Sequence, residues 1–197
     1  MSVLNDYKIC FLGRTGNGKT TLINALYGTK FPTDPLVSCT KELYRVSILD
    51  NCPVGFDSLT VFDTPGIGEF SSDERYQKFY EEAVSECDCV ILVTTFDRTD
   101  APAQRLLLKL KPYIKSTKTK FIIVLNHIDS TIIASDKSYA PWDEVKNVPT
   151  QQCENNIKER MEILKDRFCD IFIPFEIIPV CGLRNYGIES LRKVIKL

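Results

Sequence analysis

Short apolar runs alternate with stretches of helical periodicity along this chain. Tyr7–Leu12, Leu59–Phe62, Cys89–Phe96, Phe121–Leu125 and Glu176–Val180 have the length of strands, and the middle ones carry almost no polar alternation. Strands buried on both faces read that way, so a mostly parallel sheet covered by helices on each side is predicted. Between these runs, apolar positions recur at helical spacing over Lys19–Tyr27, closed by Gly28, and over Asp73–Glu86, Ala101–Tyr113, Gln151–Phe168 and Ile188–Leu197. Glu42–Leu49 breaks the β-α-β order, because it reaches Leu59–Phe62 across DNCPVGFD, a link whose Pro, Gly and Asp suit a hairpin better than a helical crossover. One antiparallel strand is therefore expected. Ser130–Thr150 is the longest segment without a clear period and holds the single tryptophan, Trp142. It reads as a surface insertion with a short helical turn, its tryptophan packed over the sheet edge or, alternatively, presented to a partner.

Composition bounds this picture. A chain of 197 residues, 44% hydrophobic, can bury one sizeable α/β core and is short for two, so residues 1–197 are read as a single domain. With 25 Lys and Arg against 26 Asp and Glu, the net charge of −1 gives no overall attraction to polyanions or acidic membranes. The eight cysteines are scattered, several of them inside apolar runs such as YKICFL and CDCVILV, which suits free thiols in a reducing compartment rather than a disulfide framework. The N-terminal MSVLNDYK shows no signal-like pattern and no run of eighteen apolar residues occurs, so a cytoplasmic protein without a membrane span is expected.

Candidate chemistry begins directly after the first apolar run, where GRTGNGKT, Gly13 to Thr20, satisfies G-x-x-x-x-G-K-[ST]. Glycines in such a loop let backbone N–H groups close around a phosphate, and the following helix adds its positive N-terminus. Lys19 would bridge the β- and γ-phosphates as a point charge, and the Thr20 hydroxyl would supply a hard oxygen to magnesium. The run Leu59–Phe62 ends in Asp63-Thr-Pro-Gly66. Asp63 can hold magnesium through a water, and the Gly66 N–H can face a γ-phosphate. After Phe121–Leu125 comes Asn126-His-Ile-Asp129, on the loop that the next parallel strand delivers to the same sheet edge. Asp129 would accept the N1–H and exocyclic amine of guanine; adenine has no such donor pair and would leave the carboxylate unpaired. Asn126 would tie this loop to the phosphate loop.

Through GRTGNGKT, Thr40, DTPG, NHID and the late loop Val180-Cys-Gly-Leu183, the chain resembles the G domains of translation-factor-related P-loop GTPases, and among them the Era-like branch and its bacterial relatives. The resemblance runs from Tyr7 to the last helix. It implies a three-layer α/β fold of the Ras-like kind, with about six strands and helices on both faces. It also implies binding of GTP and GDP with Mg2+, slow GTP hydrolysis and a molecular-switch role, the alternatives being an RNA- or ribosome-associated assembly GTPase and a switch module with negligible catalysis. By position, Thr40 looks like the switch threonine that closes onto magnesium when a γ-phosphate is present, a catalytic position alongside Lys19. The metal would then be held by Thr20, Thr40 and, through water, Asp63. Gly182 and Leu183 look like backbone donors to the guanine O6, with Cys181 beside them. Thr15, Gly16, Asn17, Gly18 and Thr21 complete the phosphate-side set implied by the resemblance.

Three departures from the family pattern stand out. His127 replaces the lysine of Asn-Lys-x-Asp, and is expected to stack on the base or lie exposed rather than to act in catalysis, which happens at the remote γ-phosphate. Potassium-activated relatives carry Asn where this chain has Gly16, so the resemblance does not extend to potassium stimulation. Ile67 stands where Ras-like enzymes place a water-orienting glutamine. A homodimer through the switch face, or a protein effector, is therefore a candidate source of the missing assistance. Lys109, Lys111, Lys115, Lys118 and Lys120 form a basic stretch that could touch RNA, but lysines also favour the exposed C-terminal end of a helix, and that reading is preferred.

Overall fold

The computed structural model describes residues 5–31, 44–48, 52–67, 74–96, 100–114, 118–130, 139–171 and 174–196. In chain order the elements are β1 (Asp6–Gly13), α1 (Lys19–Tyr27), β2 (Tyr44–Ile48), β3 (Ser58–Asp63), α2 (Glu74–Glu86), β4 (Cys89–Thr94), α3 (Ala101–Leu110), β5 (Lys120–Leu125), β6 (Trp142–Asp143), β7 (Val148–Pro149), α4 (Gln151–Phe168), β8 (Phe175–Pro179) and α5 (Ile188–Ile195). A six-stranded sheet runs in the order β2-β3-β1-β4-β5-β8. β1, β3, β4, β5 and β8 are mutually parallel, and β2 pairs antiparallel with β3. The doubly covered, mostly parallel sheet and its one antiparallel strand are as the apolar pattern predicted.

Successive residues on each strand enter opposite apolar layers, which is why the runs lack polar alternation. Ile9, Phe11, Ile91, Val93, Ile122 and Val124 pack with Leu22, Ile23 and Leu26 of α1 and Leu191 and Ile195 of α5. Cys10, Leu12, Val90, Leu92, Phe121 and Ile123 pack with α2, α3 and α4 through Val84, Leu107, Ile157 and Leu164. Both layers are built around the central β4, every residue of which is buried.

Element boundaries follow local chemistry. The periodicity through Tyr113 is helical only to Leu110, after which Lys111–Tyr113 tightens into a 3-10 turn. Pro112 has no N–H to donate to the carbonyl of Leu108, so the α-helical bonding stops there. β4 ends at Thr94 rather than Phe96, and the Thr94 hydroxyl donates to Asp100 at 2.5 Å. Buried Asp100 also accepts from Arg160 and Arg167, each at 2.8 Å, tying the start of α3 to α4. Of residues 130–150, Ser130 closes a 3-10 turn that starts at Ile128, and residues 131–138 lie outside the described residues. The rest contains the antiparallel ribbon of β6 and β7, and Trp142 is buried, edge-on to Tyr186, with its indole N–H donating to Asn147 at 3.1 Å.

α4 starts where the sequence predicts because Thr150 caps it, its hydroxyl oxygen accepting the Cys153 N–H and donating to the Ala140 carbonyl at 3.0 Å. Thr150→Ala is expected to cost about 1 kcal/mol of unfolding free energy, read as a lower urea midpoint with an unchanged slope.

Of the lysine stretch, Lys111 donates to the Asp170 carbonyl and Lys120 to the Val194 carbonyl while pairing with Glu176. Lys120 is therefore ion-paired, Lys111 keeps its charge at an exposed position, and Lys115 lies outside the described residues. Among the described residues, no helix is long and apolar enough to cross a membrane.

Candidate functional site

The loops leaving β1, β3, β5 and β8 meet at the carboxyl edge of the sheet. The phosphate loop connects β1 to α1 and is fastened at several points. The Asn17 side-chain amide donates to the Val93 carbonyl at 2.7 Å, and the Asn17 N–H closes a turn onto Arg14. Asn17 is 3% exposed. Its side chain therefore serves the loop's shape, which the sequence pattern did not indicate. Gly18 caps α1 with a positive φ of 84°, and a Cβ there would lie 2.5 Å from Asn126 Nδ2 and 3.0 Å from His127 Nε2. Lys19 is 7% exposed, and its ammonium arches back over the loop to the Gly13 carbonyl at 3.2 Å.

The loop after β3 is locked against this one. The Ile67 N–H donates to the Gly13 carbonyl at 3.0 Å, and Arg14 bridges Ile67 in parallel fashion. A Cβ on Gly66 would meet Thr15 Oγ1 at 1.7 Å and the Thr15 backbone nitrogen at 2.6 Å, so only glycine permits this approach. Thr64 donates to the Phe11 carbonyl and Tyr80 to the Pro65 carbonyl, pinning the turn from both sides. The Ile67 side chain is buried in the α2–α4 layer. Thr20 donates to Asp63 Oδ2 at 2.8 Å, which sets two hard oxygen donors side by side at the start of α1. Thr40 and residues 69–73 lie outside the described residues.

The base-side residues come from the β5 and β8 loops. Asn126 is 1% exposed; its amide donates to the Asn17 carbonyl at 2.9 Å and its carbonyl oxygen accepts the Gly182 N–H at 3.2 Å. One side chain thus joins three loops. His127, in left-handed conformation at φ 56°, faces Gly18. Thr21 lies beneath Gly182, whose added Cβ would stand 3.6 Å from the threonine methyl. Cys181 and Tyr186 exchange backbone hydrogen bonds, closing residues 181–186 into a tight loop in which Leu183 projects to solvent. Burial and a hydrogen bond to Asp129 push the Cys181 thiol up to about 11, so it stays a neutral donor.

Asp129 has a further partner that no motif announced. Arg184 Nε donates to Asp129 Oδ2 at 2.9 Å, while Nη1 and Nη2 grip Glu144 at 2.6 and 2.8 Å and the guanidinium carbon sits 5.0 Å over the Trp142 ring. Burial opposes ionisation of Asp129, but hydrogen bonds from Arg184 and Cys181 outweigh it and hold the carboxyl below the usual carboxylate range.

The family model described as 50S ribosome-binding GTPase matches residues 8–127. Among curated proteins, the uncharacterized protein YfjP of Escherichia coli (strain K12) is 25% identical over 148 residues, covering 74% of this chain and 50% of that protein. GTPase Era of Clostridium kluyveri is 26% identical over 185 residues, covering 93% of this chain and 53% of that protein. The chain thus spans about half the length of these two relatives. A crystal structure of Era in complex with MgGDPNP and 16S ribosomal RNA nucleotides superposes with a TM-score of 0.65 at 20% identity, over 98% of this chain and 57% of that one, and so shares its fold. With the phosphate loop, DTPG and Asn126 all within the matched span, this chain belongs to the 50S ribosome-binding GTPase family.

Proposed function

We propose that residues 1–197 form a single G domain that binds GTP and GDP with Mg2+, hydrolyses GTP slowly on its own and works as a switch. The carrying observation is the 2.9 Å bond from Asn126 to the Asn17 carbonyl, which fastens the base-side loop to the phosphate loop as parts of one site. On this reading Asp129 selects guanine, Lys19 and the loop amides bind the phosphates, and the Gly66 N–H faces the γ-phosphate during in-line attack by water. Mg2+, when bound, would neutralise charge between the β- and γ-phosphates. The adjacent oxygens of Thr20 and Asp63 fit that ion, since magnesium takes few protein oxygens beside phosphate and water: Thr20 and Thr40 would hold it directly and Asp63 through a water. Among the described residues no group of three His, Cys, Asp or Glu side chains offers an all-protein alternative. Equilibrium titrations should show GDP and GTP binding strongly and ATP weakly, with GTP affinity falling on chelation of Mg2+. Equal affinity for ATP and GTP would overturn the reading.

Slow hydrolysis follows from Ile67, whose buried side chain cannot orient water. Assistance must come from a second copy across the switch face or from an effector; the charge stabilisation of an arginine finger is worth about 10³ to 10⁵ in rate. Specific GTP turnover is expected to rise over roughly a hundredfold increase in protein concentration, and to lose that rise when the face around Glu69–Arg75 is charge-reversed. A fast turnover independent of concentration would show that the chain is complete alone.

A further inference from the structure

We infer that Arg184 is a positioning residue for guanine recognition, held by Glu144 and Trp142 of the inserted ribbon so that it orients the carboxylate of Asp129. The inference rests on the reading of Asp129 as the guanine-selecting group.

Each of the three nitrogens of the Arg184 guanidinium has a carboxylate partner. Nε goes to Asp129, both terminal nitrogens go to Glu144 in a two-pronged grip, and the planar face covers the indole of Trp142. Trp142 is itself fixed, being 5% exposed and hydrogen-bonded to Asn147, whose amide donates in turn to the Arg184 carbonyl at 3.2 Å. A long cationic side chain would lose about 2 kcal/mol of rotamer freedom on being ordered, so an arginine immobilised in this way can hold its partner in one rotamer. The partner is the carboxylate at the base side of the cleft. An ionised carboxylate has about four acceptor directions, and guanine requires two of them. Arg184 holds Oδ2, the Cys181 thiol also donates to the carboxylate, and the Ser130 hydroxyl stands 3.4 Å from Oδ1, so the group is fixed by its neighbours before a base arrives. A carboxylate without such a brace would swing about its side-chain torsions and meet the base's paired donors only part of the time. The ribbon of β6 and β7 thereby gains a role: although it is far along the sequence from the phosphate loop, it buttresses base selection.

The alternative relation between the same groups is competition, in which Arg184 must leave before guanine can bind. The two predict opposite signs. Titrations with GDP, IDP and ADP on the full chain should show Arg184→Ala weakening GDP about tenfold, the expected size for a hydrogen bond to a charged group. IDP, which lacks the exocyclic amine, should weaken less, so the preference for GDP over IDP shrinks. Glu144→Gln, a milder change at an exposed site, should weaken GDP roughly two- to threefold, and Arg184→Lys should recover part of the loss. In an Asp129→Asn background, adding Arg184→Ala should change XDP affinity far less than Arg184→Ala changes GDP affinity in the unaltered chain, because the brace acts through the carboxylate. Unchanged or tighter GDP binding by Arg184→Ala, with GDP still preferred to ADP by the parent, would overturn the inference alone. A parent that binds GDP and ADP equally would overturn the Asp129 reading and this inference with it.

Discussion

Asp129→Asn is expected to move nucleotide preference from guanine to xanthine, lowering GDP affinity on the order of a thousandfold while raising that for XDP. The carboxylate offers two acceptors to the N1–H and amine of guanine; the amide would turn one of them into a donor, facing an amine with a second donor. Xanthine carries a carbonyl oxygen where guanine carries the amine and can receive that donor. The surroundings of Asp129 decide which way the amide lies. Arg184 presents only donors, at 2.9 Å from Oδ2, so the asparagine oxygen must face Arg184 and its NH2 must face the base. Competition between GDP and XDP for the variant measures the effect, and a variant that still prefers GDP would place base selection elsewhere.

Lys19→Ala is expected to cost about 2–4 kcal/mol of GTP affinity, roughly thirty- to a thousandfold. Lys19 is 7% exposed at the start of α1, so its charge would meet phosphates with little water between. Its hydrogen bond to the Gly13 carbonyl holds the ammonium over the loop before any ligand arrives, which limits the entropy lost on binding. Isothermal titration with GTP and with GDP would check this; removing a lysine that bridges the β- and γ-phosphates, as proposed, should cost more for GTP. An affinity within threefold of the parent would mean that the phosphates lie elsewhere.

The bounds of α1 and α4 in the fold coincide with the sequence pattern because both are set locally, one by Gly18 and Gly28, the other by the Thr150 cap. α3 ended earlier than its apolar periodicity through the missing amide of Pro112, and β4 ended at Thr94, whose hydroxyl is bonded to Asp100. Periodicity reports which side chains can be buried, and it carries no information on a lost backbone donor or a distant carboxylate partner. The inserted ribbon was missed for the same reason, since two-residue strands are too short to establish an alternation.

By itself the sequence determined the class of the fold and the phosphate-loop motif and pointed to the residues proposed to face a guanine nucleotide, because these depend on short contiguous patterns: doubly buried strands, glycines at fixed spacing, and a carboxylate at a strand's end. The tertiary structure alone decided how those residues are held. Asn17 turns away to the carbonyl of Val93, Gly66 presses on Thr15, and Asn126 joins three loops. Asp129 meets Arg184 across 55 positions, and Arg184 meets Glu144 across 40. Contacts of that range arise when separate loops are brought to one edge of a sheet, and each depends on side-chain direction and distance, which local residue patterns do not encode.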